Sequence, residues 1–268
     1  MRTVIYGGEV YSENNVIEKG IVSICNGKIE KILDVTSFDD ESIFKISVIE
    51  NPDCVINASS TIIAPGSIEM HTNGFIGHNF GDITTEGLEE VLDAYPKFGV
   101  TNVAPTLITD DIDNIKKALE TIVYFYENYQ NNGGNILLPC YLEARYFCNT
   151  EKKGAHDPKH LVNSGYNGKT LQQIILHEVS EFSYSSREFL MVITIDPSLE
   201  NSGDIIKKLV GKGYKVCIGH SNCTLKEAEI AIDNGASILS HAFNAISMEK
   251  DYHAKLIVHG LPSYDKRT

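Results

Sequence analysis

No window of the sequence approaches the ~18 consecutive apolar residues that a membrane-spanning helix needs, so no span is expected. The opening "MRTVIYGGEV" has neither the long apolar stretch nor the small-residue cleavage site of a secretory leader. No C-x-x-C pair occurs among the six cysteines (Cys25, Cys54, Cys140, Cys148, Cys217 and Cys223), which fall mostly in apolar runs. They read as reduced core cysteines of a cytoplasmic protein. Basic residues are scarce: 23 Lys and Arg stand against 36 Asp and Glu, a net charge of −13. Nonspecific nucleic-acid binding needs basic surface to displace counterions, so that class is disfavoured. The acidic residues are dispersed and read as a solvated surface. "GHNFGD" is no phosphate cradle, because the G-x-x-x-x-G-K-[ST] pattern is absent. Neither an internal repeat nor a low-complexity linker is visible.

What is present is enough apolar residue, 42% of 268, for one large core or for a core and a small satellite domain. Residues 1–60 hold short β-rich runs ("TVIYGGEVYS", "GIVSICNGKIEKILD", "DCVINASSTIIAPG"), with Asn26-Gly27 as a hairpin signal. They predict a small antiparallel domain. Residues 61–268 alternate instead. Strand-like "TIIAPGSIEMHTN", "VTNVAPTL", "NILLPCYLEA", "FLMVITIDPS", "KVCIGHSN" and "SILSHAFNA" are separated by amphipathic helical segments. Near-continuous apolar strands between helices imply a parallel sheet covered by helices, and a (β/α)8 barrel is favoured over an open sheet. A full barrel needs eight strands. Beyond the sixth, "AKLIVHG" could supply a seventh and nothing supplies an eighth, so the barrel is expected to be incomplete at its C-terminal end.

The strand ends carry the chemistry. "GYKVCIGHSN" runs into His220, and 21 residues on "GASILSHAFNA" runs into His241. In a parallel barrel such ends converge on one mouth. Glu143 closes "LLPCYLE" and the His71-Thr72-Asn73 segment closes the first barrel strand, with His71 and Asn73 on one side. One carboxylate and two imidazoles are a usual ligand set for a catalytic divalent ion that keeps a position open for water. A lone strand-end histidine is more often structural; three such residues together favour the metal. His78, in a Gly-rich loop, reads as a loop contact, and the tyrosines of "YFYENY" as packing or partner contact.

Several segments resemble the N-acetylglucosamine-6-phosphate deacetylases of the amidohydrolase superfamily. They are "APGSIEMHTNG", "VAPTLIT", "YLEARYFCNTEKKGAHDP" and "GYKVCIGHSNCTLKEAEIAIDNGASILSHAFNAIS", and the resemblance runs in order along the chain from about Val4 to Ser247. The resemblance implies a (β/α)8 metal-dependent hydrolase barrel with a small β-sandwich built from both chain ends. It implies hydrolysis of the acetamide of N-acetylglucosamine 6-phosphate to glucosamine 6-phosphate and acetate, and a homodimer. By matching position, Glu143, His220 and His241 are the implied ligands of one divalent metal, expected to be Zn²⁺. Ala155, His156, Asn244 and Ala245 are the implied substrate contacts. His71 and Asn73 match a first-strand pair that, as His-x-His, can hold a second metal. Asn73 in the third place favours a single ion.

The chain also departs from the family pattern. Glu-Gly-Pro reads Glu143-Ala144-Arg145 here, and Arg145 is either a phosphate contact or, as expected, drift. Asp196 stands where the fourth strand of the family commonly ends differently, and no catalytic role is assigned to it. The arginine-bearing segment after "FNAM" is replaced by "ISMEKDYHAK", with Lys250 and Lys255 as unsupported substitutes. The family's general-base aspartate, in a Thr-Asp-Ala context, has no counterpart and is expected beyond the C-terminus. Two alternatives therefore stand beside the deacetylase: a weak or inactive relative that still binds metal or sugar phosphate, and an amidohydrolase for another acylated amine or cyclic amide.

Overall fold

The computed structural model describes residues 1–246 except 14, 130–135, 144, 149, 187, 188 and 243. "AKLIVHG", Lys250, Lys255 and Ala144 lie outside the described residues. The chain divides into two compact units, Met1–Gly66 and the part from Ser67 onward.

The first unit contains β1 (Arg2–Tyr6), β2 (Glu9–Tyr11), β3 (Val16–Ile17), β4 (Gly20–Cys25), β5 (Lys28–Asp34), α1 (Asp40–Ser47), β6 (Cys54–Asn57) and β7 (Ile62–Ile63). The strands form two sheets, β5-β4-β1-β6 and β3-β2-β7. Asn26 and Gly27 turn the β4–β5 hairpin with φ of 50° and 77°, the left-handed pair that a tight two-residue hairpin demands. Gly20 permits the sheets to touch, since a Cβ there would stand 2.3 Å from Val10 Cγ2. Val4, Ile21, Val35 and Ile43 form this unit's own core. The unit is mixed rather than antiparallel, because β6 runs parallel to β1 and β7 parallel to β2. A parallel return needs a crossover, and α1 provides one between β5 and β6. Asp39 caps α1 by accepting from the Ser42 amide, and Asp40 and Glu41 sit at its positive end.

The second unit contains β8 (Ser67–Thr72), β9 (Gly74–Phe75), β10 (His78–Asn79), α2 (Thr85–Ala94), β11 (Val100–Leu107), α3 (Ile112–Asn128), β12 (Ile136–Leu137), β13 (Cys140–Leu142), α4 (Leu171–Ser185), β14 (Leu190–Ile195), α5 (Ser202–Gly211), β15 (Lys215–Ile218), α6 (Leu225–Asp233) and β16 (Ala236–Leu239). β8, β11, the interrupted β12/β13, β14, β15 and β16 pair in parallel, each beside its successor in sequence. That singly wound order is the barrel topology, without the reversal of an open doubly wound sheet. The described residues of this unit form six consecutive parallel strands of a (β/α)8 barrel.

Apolar residues of α2, α3, α4 and α5 and the outward faces of the strands make one continuous core, among them Leu92, Leu119, Ile175, Ile206, Val216 and Ile218. Tyr141, Val192 and Cys217 form a separate cluster on the inner strand face. "TIIAPGSIEMHTN" is not a single strand: Ile62–Ile63 pair with β2, and β8 begins only at Ser67. Likewise Pro139, with no N–H to give a ladder, falls in the gap between β12 and β13. No helix of the described residues is long and apolar enough to cross a membrane.

Candidate active site

Four strand ends bring their polar residues to one point. Glu143 follows β13 and is 4% exposed. Its Oε1 lies 3.0 Å from His220 Nε2 and 3.1 Å from both His241 Nε2 and His71 Nε2. The Nε2 atoms of His220 and His241 are 3.1 Å apart. His156 enters from the loop after β13, with Nε2 3.8 Å from Glu143 Oε2.

Strand alternation alone would misdirect both closing histidines. Val216 and Ile218 of β15 face the helices and Cys217 faces inward. His220 shares the parity of Val216 and Ile218. It reaches the mouth because its backbone is left-handed, with φ of 50°. His241 follows Leu239, which also packs against the helix-side core, and has φ of 26°. Positive φ at a residue with a Cβ costs on the order of 1–3 kcal/mol and is retained where the site requires it. Gly219 allows the approach: a Cβ there would lie 2.9 Å from Ser240 Cβ.

Hydrogen bonds fix the tautomers. His220 Nδ1 is 2.7 Å from the Lys152 carbonyl and His241 Nδ1 is 3.0 Å from the Asn244 carbonyl. A carbonyl only accepts, so each Nδ1 carries the proton, and each neutral ring presents its Nε2 lone pair to Glu143. Two lone pairs and an anionic oxygen facing one another need a positive charge among them. A bound cation supplies it, and without one a shared proton must. Accordingly Glu143's hydrogen bond raises the His241 pKa. Burial would raise that of Glu143, but the imidazoles of His220, His241 and His71 at its oxygens outweigh it and hold the carboxyl well below the usual range. The donor set fits a divalent ion.

His156 is wired the other way. Its Nδ1 accepts from the Thr109 amide at 3.4 Å and lies 2.5 Å from the Thr109 hydroxyl. Its Nε2 therefore carries the proton and faces the cluster as a donor. Burial, then the neighbouring His220, pushes its pKa down to about 4, so the ring is neutral at pH 7. Glu143, His156 and His220 do form a buried group with ligand atoms within 4.8 Å of one another. The Thr109 contacts mark His156 as a donor, and the Asn244 carbonyl leaves His241, beside His220 and Glu143, to supply the third ligand atom.

Asn73 Nδ2 lies 3.5 Å from Glu143 Oε2 and from the Thr106 carbonyl, making it a donor to the cluster. His71 Nδ1 is 3.3 Å from Ser240 Oγ. Ala155 is exposed in the loop before His156, and the Asn244 side chain is exposed. The backbones of Asn244 and Ala245 support the histidines: Asn244 O holds His241, and Ala245 O accepts from the Ser221 amide. Arg145 is engaged inside the protein. Its Nε lies 3.5 Å from the buried Glu178 carboxylate and its Nη1 donates to the Asp110 carbonyl at 3.0 Å. His78 pairs with Glu90 at 2.9 Å.

Thr109, Phe147 and the Lys152 carbonyl escape the sequence reading. Phe147 is fully buried, stacks on His220 at 4.9 Å and meets His156 edge-on at 4.9 Å. Thr109 stands in the quoted "VAPTLIT", but nothing local says that it meets a histidine 47 residues away.

A parallel (β/α) sheet whose strand ends gather imidazoles and one carboxylate defines a metal-dependent hydrolase barrel of the amidohydrolase type. No family model matches the sequence. N-acetylglucosamine-6-phosphate deacetylase of Rattus norvegicus is 32% identical over 200 residues, 74% of this chain and 45% of that protein. The Haemophilus influenzae deacetylase is 27% identical over 251 residues, 92% of this chain and 58% of that one. The crystal structure of the Pasteurella multocida deacetylase superposes with a TM-score of 0.71 at 25% identity, covering 91% of this chain and 57% of that one. The chain belongs to the N-acetylglucosamine-6-phosphate deacetylase family, and it spans about half the length of the curated relatives it matches.

Proposed function

We propose that this chain carries the metal site of a deacetylase that hydrolyses the acetamide of N-acetylglucosamine 6-phosphate, giving glucosamine 6-phosphate and acetate. The observation that carries the reading is the convergence of His220 Nε2, His241 Nε2 and Glu143 Oε1 at 3.0 and 3.1 Å, with both Nδ1 atoms tied to carbonyls. In this reading the three hold one divalent ion, zinc. Ligand atoms on a tetrahedral zinc stand about 3.3 Å apart, close to the spacing here. When bound, such an ion polarises an acyl carbonyl and acidifies water. Asn73 donates to Glu143 rather than holding a second ion, and His71 completes the carboxylate's partners. The neutral His156 offers its Nε2–H to the acyl oxygen, and Ala155, Asn244 and Ala245 border the sugar phosphate. The six free thiols suit a reducing, cytoplasmic setting, and a homodimer is the expected assembly.

One observation favours a second reading, in which metal and sugar phosphate bind with little turnover. Asp196, the described carboxylate at the neighbouring strand end, has both oxygens occupied by backbone and serine donors and is not free to move a proton. The test is acetate release from N-acetylglucosamine 6-phosphate by zinc-loaded protein, with His220→Ala as control. Release that the substitution abolishes supports the deacetylase. Folded, metal-bearing protein that releases none supports the second reading.

A further inference from the structure

The fully buried carboxylate of Asp196, at the end of β14, lies at a junction the reaction chemistry leaves unassigned. Its Oδ2 accepts from the Cys148 amide at 2.9 Å. Its Oδ1 accepts from the Ser198 amide and hydroxyl, both at 2.8 Å, and from the Ser221 hydroxyl. Ser221 Oγ in turn accepts from the Cys223 amide at 2.9 Å. Two of these partners lead to the histidines. Cys148 begins the stretch to Lys152, whose carbonyl holds His220 Nδ1. Ser221 directly follows His220, and its amide donates to Ala245 O at 3.0 Å. Ala245 is joined to Asn244, whose carbonyl holds His241 Nδ1. One carboxylate thus ties together the backbone that strains His220 to φ 50° and the two carbonyls that set both rings.

We propose that Asp196 is a positioning residue for the metal centre: through Cys148 and Ser221 it holds the backbone that aims His220 and His241, and so sets the metal affinity. This rests on the reading of Glu143, His220 and His241 as the ligands. It makes Asp196 neither a ligand nor a base. Supporting residues of this kind are typically worth 10- to 100-fold in metal affinity.

The test is Co²⁺ titration of the full 268-residue chain, following the visible d–d bands, beside circular dichroism and thermal melting. Asp196→Asn keeps the shape but puts an amide N–H₂ against donors. Ser221→Ala removes the hydroxyl that joins Asp196 to the Cys223 amide and leaves the carboxylate itself in place. Both are expected to fold and to weaken the Co²⁺ Kd by roughly 10- to 100-fold, with altered bands. Ser198→Ala removes a contact of Asp196 that leads to neither histidine, so it is expected to lower the melting temperature and leave the Kd within about two-fold. If Asp196→Asn does not fold, Ser221→Ala decides. Wild-type affinity and bands in folded Asp196→Asn or Ser221→Ala overturn the proposal, as does an equal loss in Ser198→Ala. A wild-type chain that takes up no Co²⁺ overturns the ligand reading, and this inference with it.

Discussion

At the scale of single residues, the protein sorts its imidazoles by what each Nδ1 touches. A carbonyl turns His220 and His241 into lone-pair donors, whereas the Thr109 amide and hydroxyl turn His156 into a hydrogen-bond donor. Three rings within a few ångströms thus hold two different chemistries. Thr109→Val keeps the side-chain volume and the backbone amide at Nδ1 but loses the hydroxyl, so it is expected to loosen the hold on the His156 ring without changing its tautomer. Acetate release should then fall about 10-fold, the worth of roughly one good hydrogen bond, while Thr109→Ser stays near wild type. Long-range ¹H–¹⁵N correlations on the His156 ring read the tautomer directly. A ring protonated at Nδ1 in the wild-type protein would refute the assignment.

At the scale of elements, close packing at the strand ends is what permits those positions. Gly219→Ala would press a methyl on Ser240 Cβ at 2.9 Å and Thr194 Cγ2 at 3.2 Å. Overpacking of this kind costs about 1–3 kcal/mol, so the urea midpoint should drop and metal affinity with it. The segment after Glu143 is anchored differently. Arg145 reaches Glu178, a residue of α4 that is 3% exposed and whose carboxyl is pushed up by burial and drawn back by Arg145. Glu178→Ala leaves the guanidinium without its partner and is expected to lose about 3–5 kcal/mol. Joint replacement by Arg145→Met and Glu178→Met should recover most of it. Chemical denaturation of the three variants reads the coupling, and additive losses would mean that the pair is no unit.

At the scale of the whole molecule, an acceptor-rich centre makes stability depend on metal. Neutral imidazoles and a carboxylate that crowd together in the fold are apart in the unfolded chain, so a bound ion favours the folded state. A ligand at 100 times its Kd adds about 2.7 kcal/mol. The melting temperature should therefore rise with Zn²⁺ concentration and fall on chelation, and His241→Ala should abolish the dependence. A melting temperature indifferent to zinc in calorimetry would argue against a preformed site.

The sequence by itself determined the alternation of strands and helices in the second unit, because apolar runs and amphipathic segments differ in period. It also determined the β4–β5 hairpin, because Asn26-Gly27 suits left-handed backbone, and the residue types of the centre, because Glu143, His220 and His241 each close an apolar run. The helix α1 was legible in its Asp39 cap, its acidic first turn and Lys45 near its end, yet a β-rich reading passed over it. Only the tertiary structure decided the parallel pairing of β6 with β1, since pairing partners far apart in sequence leave no local mark. The same holds for the aim of the histidines. Their parity on β15 and β16 points to the helices, and a positive φ, held by contacts from Asp196, Ser221 and Ala245, reverses it. Periodicity reports the faces of a regular strand. Where the strand ends, direction is set by hydrogen bonds between segments that meet only in the fold.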